Sequence, residues 1–258
     1  MFALVALLLA APLELKELAP GIEYGTTRWI DQPAFADGVL HVVRLDPAKV
    51  ELRVGLASQE KVPKRTAAEW AEGLGFTVTI NAGMFSLEDH LSNVGYLRNG
   101  EHVNSATWNK YRSALAFGPG RAAMVDLDSP GAMKRLETFP TVIQDLRLIK
   151  ATGERNVWKA GPRRWSEAAI AADAKGHILF LFSRSPLPMK EFDEKLLALP
   201  LGITHAMHAE GGPEASLSIR SGELRVDLCG SYETGFNEND DNHRQWPIPN
   251  VIGVSPRP

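Results

Sequence analysis

Apolar residues occur along this chain mostly in short runs, and many alternate with polar residues at the period of a half-buried strand. Residues 39–45 and 50–56 both follow that pattern and flank an Asp46-Pro47 turn, so they read as a pair of strands. Thr66-Ala67-Ala68-Glu69 is a capping box, in which hydroxyl and carboxylate satisfy free N–H groups at a helix start. Ala67, Trp70, Ala71 and Leu74 then recur at helical spacing until Gly73 and Gly75 offer a stop. Residues 76–80 form the next strand and deliver Asn81-Ala82-Gly83 at its end. Further strands are predicted over residues 113–117, 168–172, 177–182, 203–209, 216–219 and 224–228. A second helix, residues 189–199, places Met189, Phe192, Leu196 and Leu199 on one face. Strands outnumber helices, which predicts an α+β fold: a mixed, largely antiparallel β-sheet covered by a few helices.

Composition narrows the function. The 258 residues carry a net charge of -3 with basic residues scattered, so no field for nucleic acid or anionic lipid is present. A single cysteine, Cys229, excludes an intrachain disulfide and a thiolate metal cluster. Residues 1–12 form a signal-like apolar leader ending at Pro12, too short for a stable membrane span and lacking a positive n-region. This predicts an extracytoplasmic protein, periplasmic or secreted, with the cytoplasm as the alternative if the leader is not cleaved. Residues 13–258 show no repeat and no composition break, which predicts a single domain.

Chemistry concentrates in His208-Ala209-Glu210-Gly211-Gly212-Pro213-Glu214-Ala215-Ser216, two carboxylates and a hydroxyl around a glycine turn between apolar runs. Gly211 and Gly212 permit positive φ or close approach of a ligand, although a plain turn uses the same residues. Asn81 and Gly83 offer an amide beside an open backbone, as a substrate site or as an Asx-turn. Arg163 and Arg164 present planar cations suited to phosphate, or a solvated surface pair. His205, His208 and Glu210 are metal-ligand types, but strand alternation puts His208 and Glu210 on one face and His205 on the other, so no metal site is expected. The acidic run at 238–242 lacks the spacing of a calcium loop. Nucleophile-elbow, phosphate-loop and dinucleotide signatures are missing, and the cofactor stays unknown.

Four stretches resemble the phosphodiester glycosidase family over about Val39 to Val254. They are Asn81-Ala82-Gly83-Met84-Phe85 followed by Gly95-Tyr96-Leu97-Arg98-Asn99-Gly100, Gln144-Asp145-Leu146-Arg147-Leu148-Ile149, Ala168-Ala169-Ile170-Ala171-Ala172-Asp173 with Gly176, and the second helix followed by Ala209-Glu210-Gly211-Gly212 with Ser216 farther along. Glu210 stands where the family has Asp, Pro213 where it has a third Gly, and Ala171 where it prefers Gly. The family's arginine position falls nearest Glu167, with Arg164 three residues earlier. The resemblance implies hydrolysis of the bond between a sugar anomeric carbon and a phosphodiester oxygen, in a carbohydrate or phosphosugar substrate. It implies Glu210 as base or nucleophile, Arg164 as phosphate clamp, and Asn81 and Ser216 as orienting groups. Glu214 and His208 are further candidates for proton transfer, and Gly83, Gly211, Gly212 and Arg163 for substrate contact. The alternative is a non-catalytic protein that holds a phosphosugar or envelope glycan on the same fold. Either way, the strand ends at Asn81 and Glu210 are expected to be neighbours.

Overall fold

A computed structural model describes residues 13–156 and 161–257, so the expected leader over 1–12 lies outside the described residues. The strands form three sheets, and every strand pair among the described residues is antiparallel. The seven-stranded sheet runs Lys16–Ala19, Ile22–Arg28, Val39–Leu45, Ile178–Leu187, Trp165–Asp173, Ile203–Gly211, Arg147–Ile149 in spatial order. A five-stranded sheet runs Leu224–Cys229, Ser216–Ser221, Val78–Asn81, Asn250–Pro256, Val50–Leu56. The other five-stranded sheet runs His102–Ser105, Leu97–Asn99, Thr141–Asp145, Ser113–Gly118, Arg121–Asp126. The fold is therefore α+β with sheets dominant.

One core joins the three sheets: Val43, Ile170, Phe180 and Met207 from the first pack with Ile80, Leu217 and Ile252 from the second and Leu115, Phe117 and Ile143 from the third. The helix Met189–Ala198 seals the opposite face of the large sheet, where Phe192 and Leu196 cover Leu40, Val42, Leu179 and Leu181. The helix Ala67–Leu74 begins with the expected capping box on Thr66 and Glu69 and ends at Gly75, with φ +69°. Its Trp70 is fully buried and donates its indole N–H to Ile248 O at 3.0 Å.

One expected pairing is not formed. Val39–Leu45 bonds to Ile22–Arg28 and Ile178–Leu187, while Val50–Leu56 bonds to Asn250–Pro256 in a different sheet. Asp46 hands the chain over: its N–H donates to Gly21 O at 2.9 Å, and its own carbonyl accepts from Lys49 and Val50 N–H. Both strands still turn an apolar face into the same core, which is all that their alternation specifies.

Candidate active site

Three strand ends, one from each sheet, carry the polar centre of the molecule. Glu210 stands near the end of Ile203–Gly211, Asn81 ends Val78–Asn81, and Asp145 ends Thr141–Asp145. Ala168 pairs with Glu210 and Ala169 with His208, so Ala209 is an extra residue in its strand, a bulge of the kind that re-aims side chains. His208 lies against Glu167 of the neighbouring strand, Nδ1 to Oε1 at 2.7 Å, and both residues are almost fully buried. The other Glu167 oxygen accepts the indole N–H of Trp165 at 2.7 Å. Burial alone would strip the proton from His208, but the charge and hydrogen bond of Glu167, with Asp145 and Glu210 behind it, lift its pKa to about 9. His208 is thus a fixed cation at neutral pH. His205 faces elsewhere, as strand alternation predicts, and bonds to Ser113 Oγ at 2.9 Å.

Carboxyl groups crowd around that cation. Burial raises Asp145 to about 7, against the pull of His208 and the N–H groups of Leu146 and Met84. Burial also lifts Glu210 well above the usual carboxylate range; His208 opposes this and the charge of Glu214 adds to it. Glu214 is raised to about 7, again by burial first and then by Glu233. Glu233 is raised by burial, with His208 and Arg163 opposing. Burial thus favours the protonated form of Glu210, the direction a proton donor needs, whereas the sequence led to the expectation of a base or nucleophile there.

The glycines allow this crowding. A Cβ on Gly83, at φ +131°, would stand 2.5 Å from Asn93 Oδ1 and 2.7 Å from Asp145 Oδ2. A Cβ on Gly212, at φ +62°, would meet Glu233 Oε2 at 2.4 Å, and Gly211 is covered by the Trp165 ring. Asn81 and Ser216 direct their bonds inward. Asn81 Oδ1 accepts Ser216 N–H at 2.7 Å, its Nδ2 donates to Glu214 O at 3.0 Å, and Ser216 Oγ donates to the same carbonyl at 3.0 Å. The strand ends at Asn81 and Glu210 are thereby coupled through the turn at Gly212–Glu214, and both residues hold Glu214 in place.

Cations and aromatic rings ring the acids. Lys64 lies over the Phe85 ring at 5.4 Å and acts on Glu214; Arg163 acts on Glu233. The Arg164 guanidinium lies over Phe35 at 5.7 Å and Tyr232 at 5.2 Å, rings that stack on each other at 4.7 Å. Tyr111 approaches from another side, its phenol pKa raised by burial and by Asp145 and Glu210. Among the described residues no group of three or more His, Cys, Asp or Glu side chains is disposed to hold a metal ion. A separate cleft of about 720 Å³, lined by Arg53, Gln59, Phe76, Asn99 and His102 among others, shares no residue with this centre.

The model of the phosphodiester glycosidase family matches residues 75–255, which hold nearly all of these groups. The chain belongs to the phosphodiester glycosidase family. Among solved structures, a hypothetical protein from Synechocystis superposes with a TM-score of 0.66 at 15% identity, covering 96% of this chain. This chain spans 64% of that one's length. The catalytic domain of zebrafish N-acetylglucosamine-1-phosphodiester alpha-N-acetylglucosaminidase, auto-inhibited by its pro-peptide, superposes with a TM-score of 0.64 at 12% identity, covering 96% of this chain and 89% of that one. These likenesses show a shared fold. No curated protein sequence matches the chain at a significant level.

Within this phosphodiester glycosidase domain, the sequence singles out Glu210, His208, Glu214, Asn81 and the glycines as candidates, which the structure brings together, but not Asp145, Glu167 or Glu233 beside them. Two of the three left a signal. Glu167 is a lone charge at the head of the apolar run 168–172, and Asp145 closes the fully buried strand Thr141–Asp145 after Val142 and Ile143. Glu233 lies in a polar loop and left none.

Proposed function

We propose that this protein hydrolyses the bond between a sugar anomeric carbon and a phosphodiester oxygen in a glycan or glycoconjugate. The observation that carries the reading is that Glu210 feels both the cation His208 and a second, half-buried carboxyl group, Glu214, with burial raising the proton affinity of both acids. Glycoside cleavage uses two carboxyl groups, one as acid and one as base or nucleophile. Glu210 donates its proton to the leaving phosphate oxygen as the C1–O bond breaks. Glu214 takes the proton of the attacking water, and the products are the free sugar and a phosphomonoester. A phosphomonoester leaves more readily than an alcohol, so a weak acid suffices. Lys64 and Arg163 are the cations whose charge reaches the acids, and we assign the phosphate to them ahead of Arg164, whose guanidinium rests on two rings.

The Glu210→Gln variant tests this on a methyl sugar-1-phosphate. It keeps the size and removes the acidic proton, so kcat falls by about 10²–10⁴ while KM stays near its original value. Near-normal kcat would place the acid elsewhere, with Glu214 the first residue to examine. Binding of the ester without turnover by the unaltered protein would favour the non-catalytic alternative.

We also infer that residues 13–258 act as one domain delivered outside the cytoplasm, a reading supported by the apolar run before Pro12. Mature protein from its native host then begins beyond Ala11. An intact Met1 on soluble cytoplasmic protein would contradict export.

A further inference from the structure

Two buried oxygens beside the acid centre lack a donor. Asn93 and Asp145 are 3% and 1% exposed, and among the described residues neither Asn93 Oδ1 nor Asp145 Oδ2 receives a hydrogen bond. The Asn93 amide is held against turning round, because its Nδ2 donates to Gly95 O at 3.2 Å and to Gln144 O at 3.3 Å. The other Asp145 oxygen already accepts Leu146 N–H at 2.7 Å. The two bare oxygens converge on Gly83, where a Cβ would stand 2.5 Å from Asn93 Oδ1 and 2.7 Å from Asp145 Oδ2. Two acceptors held that close repel each other, and burial leaves them no water to offset the loss.

Asn93 stands at the base of a hairpin that follows the Asn81 strand end. Val94 N–H donates to Met84 O at 2.8 Å, Ser86 N–H donates to Ser92 O at 2.7 Å, and Phe85 pairs with Asn93 between them. Phe85 carries Lys64 over its ring, and Lys64 in turn acts on Glu214. Asp145 comes from a different sheet, so a bond between Asp145 and Asn93 would tie two strand ends together across Gly83. Burial favours a proton on Asp145 and Glu167 adds to this, while His208 and the N–H groups of Leu146 and Met84 oppose it. Tyr111 and Glu210 also face it, each raised by burial first and by the Asp145 charge as well.

We propose that Asp145 carries a proton on Oδ2 and donates it to Asn93 Oδ1, a latch that holds the hairpin 84–94 against the acid centre. Asp145 is then a positioning residue, since its proton is spent inside the protein and not on substrate. Gly83 is required because a side chain there would collide with both oxygens. The latch has a definite sign with pH. Closed, the carboxyl keeps its proton up to about pH 7; opened to water, it returns to the ordinary range near about 4. The latch is therefore complete below the lower value, weakens as pH rises between the two, and is lost above the upper one. That the hairpin serves turnover rests on the hydrolase reading above; the latch itself rests on the two oxygens.

The test is NMR of the full isotope-labelled chain without substrate, from about pH 4 to about pH 9. The Asp145 carboxyl carbon, assigned through its backbone, titrates with a midpoint of about 7, and the Asn93 side-chain N–H resonances move with it. Exchange of the Val94 and Ser86 amides, corrected for intrinsic rates, gives the opening constant of the hairpin base, which rises by about tenfold or more between about pH 5 and about pH 7. Asp145→Asn keeps the shape and offers Asn93 Oδ1 an N–H donor at every pH, so it loses that rise. An Asp145 carboxyl that titrates near about 4, or Asn93 resonances that ignore its titration, overturns the latch and leaves an ionised Asp145 with water or a cation between the oxygens. An equal rise in Asp145→Asn overturns it too. The titration of the unaltered chain decides the matter even where the variant folds poorly. Turnover of the methyl ester reports separately on the hydrolase reading: if it is missing while Asp145 and Asn93 titrate together, the latch stands and the hydrolase reading falls.

Discussion

Glu167 touches no open surface, yet it sets the charge of the residue at the middle of the site. Its carboxylate holds His208 cationic from one side and is itself held by the Trp165 indole N–H from the other. Glu167→Gln removes the charge and keeps the shape. The His208 pKa then falls from about 9, which the imidazole proton resonances follow directly. Because one member of a buried pair is left without its partner, the substitution also costs about 3–5 kcal/mol of stability. An unchanged His208 titration would mean that Asp145 and Glu210 alone supply the raised affinity. At this scale the sequence showed residues whose neighbours in the chain are informative, such as Glu210 beside its glycines. Glu167 and Asp145 act through partners from other strands and other sheets, which local pattern does not encode.

At the scale of elements, Asn81 joins the end of one strand to the turn that bears Glu214. Asn81→Ala removes the bonds to Ser216 N–H and Glu214 O, leaves those buried groups unpaired, and costs about 1–3 kcal/mol. As a positioning residue it should lower kcat more than it raises KM, and the conservative Asn81→Asp should restore the acceptor bond to Ser216 N–H but not the donor bond to Glu214 O. Equal kcat in Asn81→Ala would mean that the turn holds its shape without it. The capping box is a contrasting case: Thr66→Ala costs about 0.5–2 kcal/mol in chemical denaturation and leaves turnover in place. Strand and helix positions were legible because burial imposes a period on each segment. Partner choice was not, since the strands at 39–45 and 50–56 satisfy their alternation equally well in separate sheets.

The whole molecule gathers strand ends from three sheets around one histidine, and its stability should carry the titration of that centre. Asp145, Glu214 and His208 all bind protons more tightly when folded, so each contributes stability that is complete below its unfolded pKa and lost as pH rises through its folded one. For the two acids the loss runs from about 4 up to about 7, and for His208 from about 6.5 up to about 9. His205 has the opposite sign: burial lowers it to about 4, so its contribution is present above about 6.5 and fades as pH falls through its folded value. The two effects offset each other on the acid side, and the melting temperature should decline between about pH 7 and 9. A flat profile there would contradict the cationic His208.

The central claim is that water is added at the sugar carbon and the acids, with Glu210 foremost, serve that cleavage. Hydrolysis of a methyl sugar-1-phosphate in water enriched in oxygen-18, followed by phosphorus NMR and mass spectrometry of the sugar, reads the broken bond directly. The account predicts the label on the anomeric oxygen of the released sugar and an unshifted phosphorus resonance. Label on phosphorus would show P–O cleavage by a phosphodiesterase and would contradict it.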